Sequence, residues 1–385
     1  MEICRIGLAL NKVLPVHRRF LRGFFSIAQT RPHWVLHTCS PNNDFAWEMM
    51  RRWKPQAMVG EIGLAERLGR LSDVPKIRID LSEAPATGPV PHVGIDFVAA
   101  GELAGRFFLG KGLKHIALFS YNPVPRRSER LRIGLKRALA EQSIELMEFE
   151  WDRTPPPRPG YIDERIAQWL SGLPKPVGVV LFDDDAGLWV SQLAGVAGLR
   201  VPEEVALLGV NNDLIDIAMT RPPLSSIALP FEEAGRRAAE LLAEQLEGRR
   251  VSRKPILLPP LRVVERASTD IIAINDPDVS AAVRFIREHR GRPLRVQDLL
   301  DELAISRRAL ERKFRAALGR SPLHEIRRAH VEYAKELLAT TNLPLKKIAE
   351  LSGFSRVEHF TTTLRRASGM TPGQWRRRAM THRAE

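Results

Sequence analysis

The chain has 385 residues, 44% hydrophobic and 27% charged, enough for two or three domains and unlike a disordered or fibrous protein. Its two cysteines, Cys4 and Cys39, exclude a disulfide framework and a four-thiolate zinc site, and suit a reducing compartment. The net charge of +14 is uneven: Ala273–Glu385 carries 23 Lys and Arg against 13 Asp and Glu, so the first 272 residues are nearly neutral.

The opening MEICRIGLALNKVLP has an apolar run broken by Asn11 and Lys12, too short for a secretion signal. No later stretch approaches the roughly 20 apolar residues of a membrane helix, so a cytoplasmic protein with no membrane partner is expected. Arg5–Leu10 reads as a buried strand, followed by a helical pattern at Arg18–Ala28. Further strands are predicted at WVLHTC, QAMVGEI, HVGIDF, HIALFS, LMEFEW, PVGVVLFD, EVALLGV and SSIALP. Between them, helical periodicity covers Asn43–Arg52, Ala99–Leu109, Ser128–Glu141, Asp163–Leu170, Ala186–Ala197 and Glu232–Leu246. WDRTPPPRPG (Trp151–Gly160) reads as a proline-rich surface loop. Strands alternating with helices of this length form parallel sheets covered on both faces. About 260 residues would crowd one such sheet. Residues 1–272 are therefore expected to form a two-lobed α/β domain, two doubly wound parallel sheets with a ligand cleft between them.

Around Thr269–Pro277 the pattern changes, and residues 273–385 read as all-helical. Helices are predicted at Val279–His289, Val296–Leu303, Arg307–Leu318, Leu323–Leu338, Leu345–Leu351 and Val357–Ala367. Two segments share one design. In RVQDLLDELAISRRALERKF a short apolar helix is followed by the turn Ala304-Ile305-Ser306, and Ser306 can cap a second helix with Leu310 and Phe314 on one face. In LPLKKIAELSGFSRVEHF the turn is Ser352-Gly353-Phe354, where glycine supplies a positive φ and phenylalanine plugs the angle between helices. Ser355 is expected to cap the helix that follows. The second helices present Arg307, Arg308, Glu311, Arg312 and Arg315 in one unit and Arg356, Glu358, His359, Thr362, Arg365 and Arg366 in the other. A helix fits the major groove of B-DNA, and guanidinium groups at its surface can grip guanine or phosphate. A basic module of this kind points to DNA as the polyanion.

SPLHEIRRAHVEYAKELLATT joins the two units as one long helix, with Ile326, Ala334, Leu337 and Leu338 packing against both. This third of the chain resembles the AraC-type DNA-binding domain, in SRRALERKF, in Ala334-x-x-Leu337-Leu338, in KKIAELSGF and in GMTPGQWR. His330 stands where that family usually has arginine, and Leu364 replaces its usual phenylalanine.

The first two thirds carry a second resemblance. HVGIDFVAAGELAGRFFLGKGLKHIALF, VGVVLFDDDAGLWVSQLAGVAGLRVPEEVALLGVNND and PPLSSIALPFEEAGRRAAELLAEQL are similar in order and wording to the lactose-repressor and periplasmic-binding-protein core. Fusion of that core to an AraC-type terminus resembles the bacterial xylose-operon regulators. The resemblance implies a small sugar bound at the carboxyl ends of parallel strands. It points to Asp96, Asp184, Asn211 (where relatives have aspartate), Arg130 and Asn11 as ligand-binding. Arg132 rivals Arg130, because the glycine spacing is off by one. Asp183-Asp184-Asp185 reads as helix capping plus one pocket residue rather than a metal site, since consecutive residues point in different directions. Phe97, Tyr121 and Trp189 read as core.

The implied function is a ligand-responsive transcription regulator: a sugar, a pentose such as xylose, closes the cleft and alters how paired subunits present Ser306, Arg307, Arg308, Arg312, Ser355, Arg356, Glu358, His359, Arg365 and Arg366 to operator DNA. A homodimer is expected, with RNA polymerase as a further partner if the chain activates, and no cofactor or metal. Two other functions fit parts of the chain. AraC-type modules also occur in DNA-repair methyltransferases, but their zinc-bound cysteine needs several thiolates. A sugar-binding transport protein would need a secretion signal. No G-x-S-x-G, H-E-x-x-H or G-x-x-x-x-G-K-[ST] motif is present, so no enzyme is expected.

Overall fold

The computed structural model describes residues 3–41, 43–61, 74–81, 90–122, 125–152, 164–271 and 276–377. They fall into two units, Met1–Ile271 and Ile272–Glu385.

The first unit holds two six-stranded sheets. One contains β1 (Cys4–Ala9), β2 (Trp34–Cys39), β3 (Ala57–Glu61), β4 (Lys76–Asp80), β5 (His92–Ile95) and β11 (Ile256–Leu258). Its order is β11-β5-β4-β3-β1-β2, with every neighbouring pair parallel. The other contains β6 (His115–Asn122), β7 (Leu146–Asp152), β8 (Val177–Leu181), β9 (Val205–Asn211), β10 (Ser225–Ala228) and β12 (Arg262–Val264). Its order is β12-β10-β9-β8-β6-β7, parallel except for the antiparallel edge strand β12. In each sheet the chain winds outward from one strand, β1 or β6, in both directions. That reversal leaves a crevice at the strands' carboxyl ends, the usual seat of a ligand in open α/β sheets.

Among the described residues eight helices cover the sheets: α1 (Pro15–Ala28), α2 (Asp44–Trp53), α3 (Phe97–Gly110), α4 (Pro125–Ala140), α5 (Glu164–Gly172), α6 (Asp184–Val196), α7 (Leu214–Met219) and α8 (Phe231–Leu246). The chain passes between the sheets three times, through α3, through α8 and between β11 and β12. Strand alternation sorts the core. On β8, Val177, Val179 and Leu181 face a cluster containing Ile166, Leu170 and Val190 of α5 and α6, while Val180 faces the cluster shared with α3 and α4. Phe20, Phe24, Phe108 and Phe231 are fully buried, each worth about 1.5–3 kcal/mol of transfer free energy. Helices α1 and α8 approach closely because Gly23 lies on the backbone of Glu232 and Gly235 on that of Phe20, where any Cβ would overlap main chain.

The second unit is all-helical: α9 (Pro277–Glu288), α10 (Val296–Leu303), α11 (Arg307–Leu318), α12 (Pro322–Thr340), α13 (Leu345–Leu351) and α14 (Val357–Ser368). It has two cores. Val283, Ile286, Leu299, Leu310 and Phe314 close the first around Ile326 of α12. Ile348, Phe354, Phe360 and Leu364 close the second around Ala334 and Leu338 of the same helix. Helix α12 is therefore a rigid spacer with one end in each helix-turn-helix unit. At the second turn Gly353 has φ +77° and lies against His330, whose ring meets Phe354 edge-on at 5.8 Å. Leu364 is fully buried.

The two-lobed α/β body and the all-helical terminal unit with two helix-turn-helix units agree with the sequence reading, which omitted β4, β11, β12 and α7. Ser355 does not cap α14. The residue before that helix is Arg356, which makes no side-chain cap bond. The proline-rich reading of Trp151–Gly160 falls, from residue 153 onward, outside the described residues. Among the described residues no helix is long and apolar enough to cross a membrane, and no group of three or more His, Cys, Asp or Glu could hold a metal ion.

Candidate ligand cleft and nucleic-acid interface

The carboxyl ends of the two sheets converge on a polar cluster. After β1, Asn11 accepts from the Val13 N–H at 3.1 Å, and its own N–H donates to His17 Nδ1 at 3.0 Å. His17 Nδ1 also lies 3.1 Å from the Asn11 carbonyl, and Nε2 lies 2.8 Å from Glu61 Oε1, at the end of β3. After β5, Asp96 caps α3 by accepting from the Val98 and Ala99 N–H groups at 3.1 and 3.0 Å. Its capping oxygen also lies 3.9 Å from Arg130 on α4. Arg132, the rival of Arg130, is engaged at the β7 edge by Glu148 and Glu150, each at 2.6 Å.

The sequence reading did not single out Arg127, at the start of α4. It is 6% exposed. Its guanidinium lies 4.9 Å from the Phe97 ring centroid and 4.5 Å from that of Phe182. It donates to the Phe182 carbonyl at 3.1 Å and to Asn211 Oδ1 at 2.9 Å. Two aromatic rings hold the guanidinium in place, and its Nη2 bridges the ends of β8 and β9. Phe97, read as core, is indeed fully buried, and it also floors this arginine. Trp189 packs against Trp151. The Tyr121 side chain lies outside the described residues.

Asn211 and Asn212 form the centre of the cluster, with φ of +111° and +56°. Such a turn costs about 1–3 kcal/mol per strained residue and persists only where its surroundings hold it. Asn211 is gripped by Arg127. Asn212 Oδ1 accepts from Arg266 at 2.8 Å, and its N–H donates to Ser226 Oγ at 2.9 Å. The Asp213 N–H donates to Asp184 Oδ2 at 2.6 Å, and Ser226 Oγ–H donates to Asp184 Oδ1 at 2.6 Å.

Asp184 thus occupies a different place from the one expected of a ligand contact. It is fully buried, and each carboxylate oxygen already accepts a bond from the fold. Burial pushes its pKa well above the usual carboxylate range, against the pull of Ser226 and the Asp213 N–H. Gly209 leaves the space this carboxylate fills. Its neighbour Asp183 caps α6 by accepting from the Ala186 N–H at 2.9 Å.

In the second unit, Ser306 caps α11 by accepting from the Ala309 N–H at 3.3 Å. Ser306, Arg307, Arg308 and Arg312 are exposed on or before α11, and Ser355, Arg356, Glu358, His359, Arg365 and Arg366 on or before α14. Arg307 pairs with Glu311 at 3.3 Å in an exposed pair, which costs little to break. Each second helix so presents an amphipathic edge, apolar to its own core and cationic to solvent, with the charge density that phosphate contacts require.

Fold and sites together define a class: a two-lobed binding body carrying, in the same chain, a pair of helix-turn-helix units. The comparisons agree. A periplasmic binding protein-like domain family matches residues 106–269, and a helix-turn-helix domain family matches residues 299–378. The xylose operon regulatory protein of Escherichia coli (strain K12) is 28% identical over 308 residues, 79% of each chain. That of Haemophilus influenzae is 28% identical over 294 residues, 74% of each. A solved structure of a xylose-binding transcription activator, xylR, superposes with a TM-score of 0.79 at 25% identity, covering 98% of both chains. The chain joins a periplasmic-binding-protein-like domain to a helix-turn-helix domain, and over most of its length it is similar to xylose operon regulatory proteins.

Proposed function

We propose that this chain is a sequence-specific transcription regulator of a sugar-utilisation operon, controlled by a small sugar, a pentose such as xylose, bound at the carboxyl ends of the two sheets. The observation that carries the reading is the union, in one chain, of the strand-end cluster around Asn211 with twin helix-turn-helix units. The similarity to xylose operon regulatory proteins over most of both chains supports the choice of sugar.

Asn211, Asn11, Asp96 and Arg130, all partly exposed, supply the amides, carboxylate and guanidinium that match vicinal hydroxyls, while Arg127, buried against Phe97 and Phe182, holds Asn211 in place. Asp184 acts one step back, by holding the Asn211–Asp213 turn. The exposed set from Ser306 to Arg312 and from Ser355 to Arg366 reads operator DNA. The chain works in the cytoplasm as a homodimer, contacts RNA polymerase where it activates, and performs no catalysis.

The direct test is a thermal-shift panel of pentoses and hexoses on the full chain. A pentose bound at one hundred times its Kd adds about 2.7 kcal/mol to the folded state and raises the melting temperature with concentration. If no sugar in the panel moves the transition, the ligand class is wrong. Fluorescence anisotropy on promoter DNA tests the second half, with a steep loss of affinity as salt rises.

A further inference from the structure

Arg19 sits on α1, in the layer of the first sheet, yet both of its hydrogen bonds go to the second. Nη1 donates to the Asn211 carbonyl at 2.7 Å and Nη2 to the Leu229 carbonyl at 3.2 Å. Those carbonyls stand at the carboxyl ends of β9 and β10, adjacent parallel strands. One planar fork therefore spans two strand ends, with Phe231 beneath it at 5.2 Å. The position is costly for a cation. Burial pulls the Arg19 pKa down, and Glu232, Asp213 and Asp184 partly restore it. A residue that serves only to pack α1 needs no charge there.

The acceptor is as informative as the donor. Asn211 has φ +111°, a conformation that a side-chain-bearing residue holds only under constraint. Two arginines from different helices hold it: Arg127 from α4 donates to the side-chain oxygen at 2.9 Å, and Arg19 from α1 donates to the main-chain oxygen at 2.7 Å. A rotation of one lobe against the other that displaces α1 from the end of β9 would change this bond.

We propose that Arg19 is an inter-lobe positioning residue, tying the ligand-side turn at Asn211 to the opposite lobe so that effector affinity and lobe arrangement depend on one another. The effector half rests on reading the strand ends as a sugar site. The mechanical half does not.

The test uses the full chain with Arg19→Met, which keeps a long apolar stem without donors, and Arg19→Lys, which keeps the charge but not the fork. Hydrogen exchange without ligand reads the mechanical half. The amides of Asn212–Ile215 exchange about tenfold faster in Arg19→Met, while those of β8 are unchanged. Titration calorimetry with D-xylose reads the effector half. Arg19→Met weakens binding about tenfold, with Arg19→Lys between it and the parent. The same Arg19→Met change is then made in an Asn211→Gly background and read by hydrogen exchange, because glycine takes the positive φ freely and the acceleration at Asn212–Ile215 falls below about twofold. Equal acceleration in both backgrounds, or exchange at Asn212–Ile215 that Arg19→Met leaves unchanged, overturns the proposal. If the parent chain binds no sugar of the panel, the sugar reading has failed, and the exchange result still decides the role of Arg19.

Discussion

His92 offers a sharp test of the packing under β4 and β5. Its side chain is 2% exposed, and among the described residues neither ring nitrogen has a hydrogen-bond partner. Arg78 and Asp80 share its face of the sheet, with Asp80 3.8 Å from Nε2. Burial first, then the charges of Arg78 and Arg130, push its pKa down from 6.5 to about 4. The unfolded chain therefore binds this proton more readily than the folded one between those two values. Stability from this site is intact above about pH 6.5 and drains away as the pH falls towards 4. The whole interval is worth about 3 kcal/mol, and about 2 kcal/mol is gone by pH 5. His92→Leu removes the titration and the burial of unpaired nitrogens at similar volume. The variant should equal or exceed the parent at pH 7.5, and its advantage should grow by about 2 kcal/mol at pH 5. Six of the seven tryptophans precede residue 272, so urea unfolding followed by tryptophan fluorescence reports the correct unit. Parallel stability curves for parent and variant from pH 7.5 to 5 would refute the argument.

Three further outcomes follow from the same structure. Asp184→Ala leaves the Asp213 N–H and the Ser226 hydroxyl without their buried acceptor. It should cost about 1–3 kcal/mol in the first unit, read by the same urea assay, with a larger loss in sugar affinity than in stability. Gly353→Ala forces a side chain into φ +77° and sets a Cβ 2.6 Å from His330 Nε2 and 2.7 Å from the Arg292 carbonyl. The dihedral alone costs about 1–2 kcal/mol, so operator binding should be lost while sugar binding in calorimetry is retained. Arg307→Ala and Arg356→Ala should each weaken DNA binding and lower the salt slope by about one in anisotropy titrations, and unchanged slopes would remove those side chains from the phosphate contacts.

Much of this fold was legible because period and composition agree at each level. The terminal unit announced itself twice, through Leu310 and Phe314 and through Gly353 and Phe354. Side-chain caps stand before three of its helices, at Asp276, Ser306 and Ser321, and the core side chains of each unit come from nearby sequence. The strands at Arg5–Leu10 and Val177–Leu181 were equally plain, being continuous apolar runs buried on both faces. β4 was missed because its sequence, KIRID, places Lys76, Arg78 and Asp80 on one face, a pattern that reads as exposed. β11 and β12 have only three residues each and owe their existence to the neighbours they pair with. Ser355 failed as a cap because the helix begins one residue later than the motif suggested.

The candidate site was half legible. Asp96, Asn211 and Asn11 were readable as strand-end residues, since each follows an apolar run at or just beyond the end of a strand. Arg127 could not be chosen from PRRSERLR, a stretch with four arginines, because only the packing of α4 on α3 decides which of them reaches the Phe97 and Phe182 rings.

The order of strands and helices, the change to an all-helical unit near residue 270, and the basic faces of α11 and α14 are properties of the linear chain, because they depend on side-chain period and local charge. Which carboxylate is sealed in the core and which caps a helix at the strand ends, and which arginine crosses from one lobe to clasp the other, are decided only when residues 192 positions apart, such as Arg19 and Asn211, are brought within 2.7 Å. Hydrogen bonding and desolvation act over a few ångströms, and that proximity is created by the sheets.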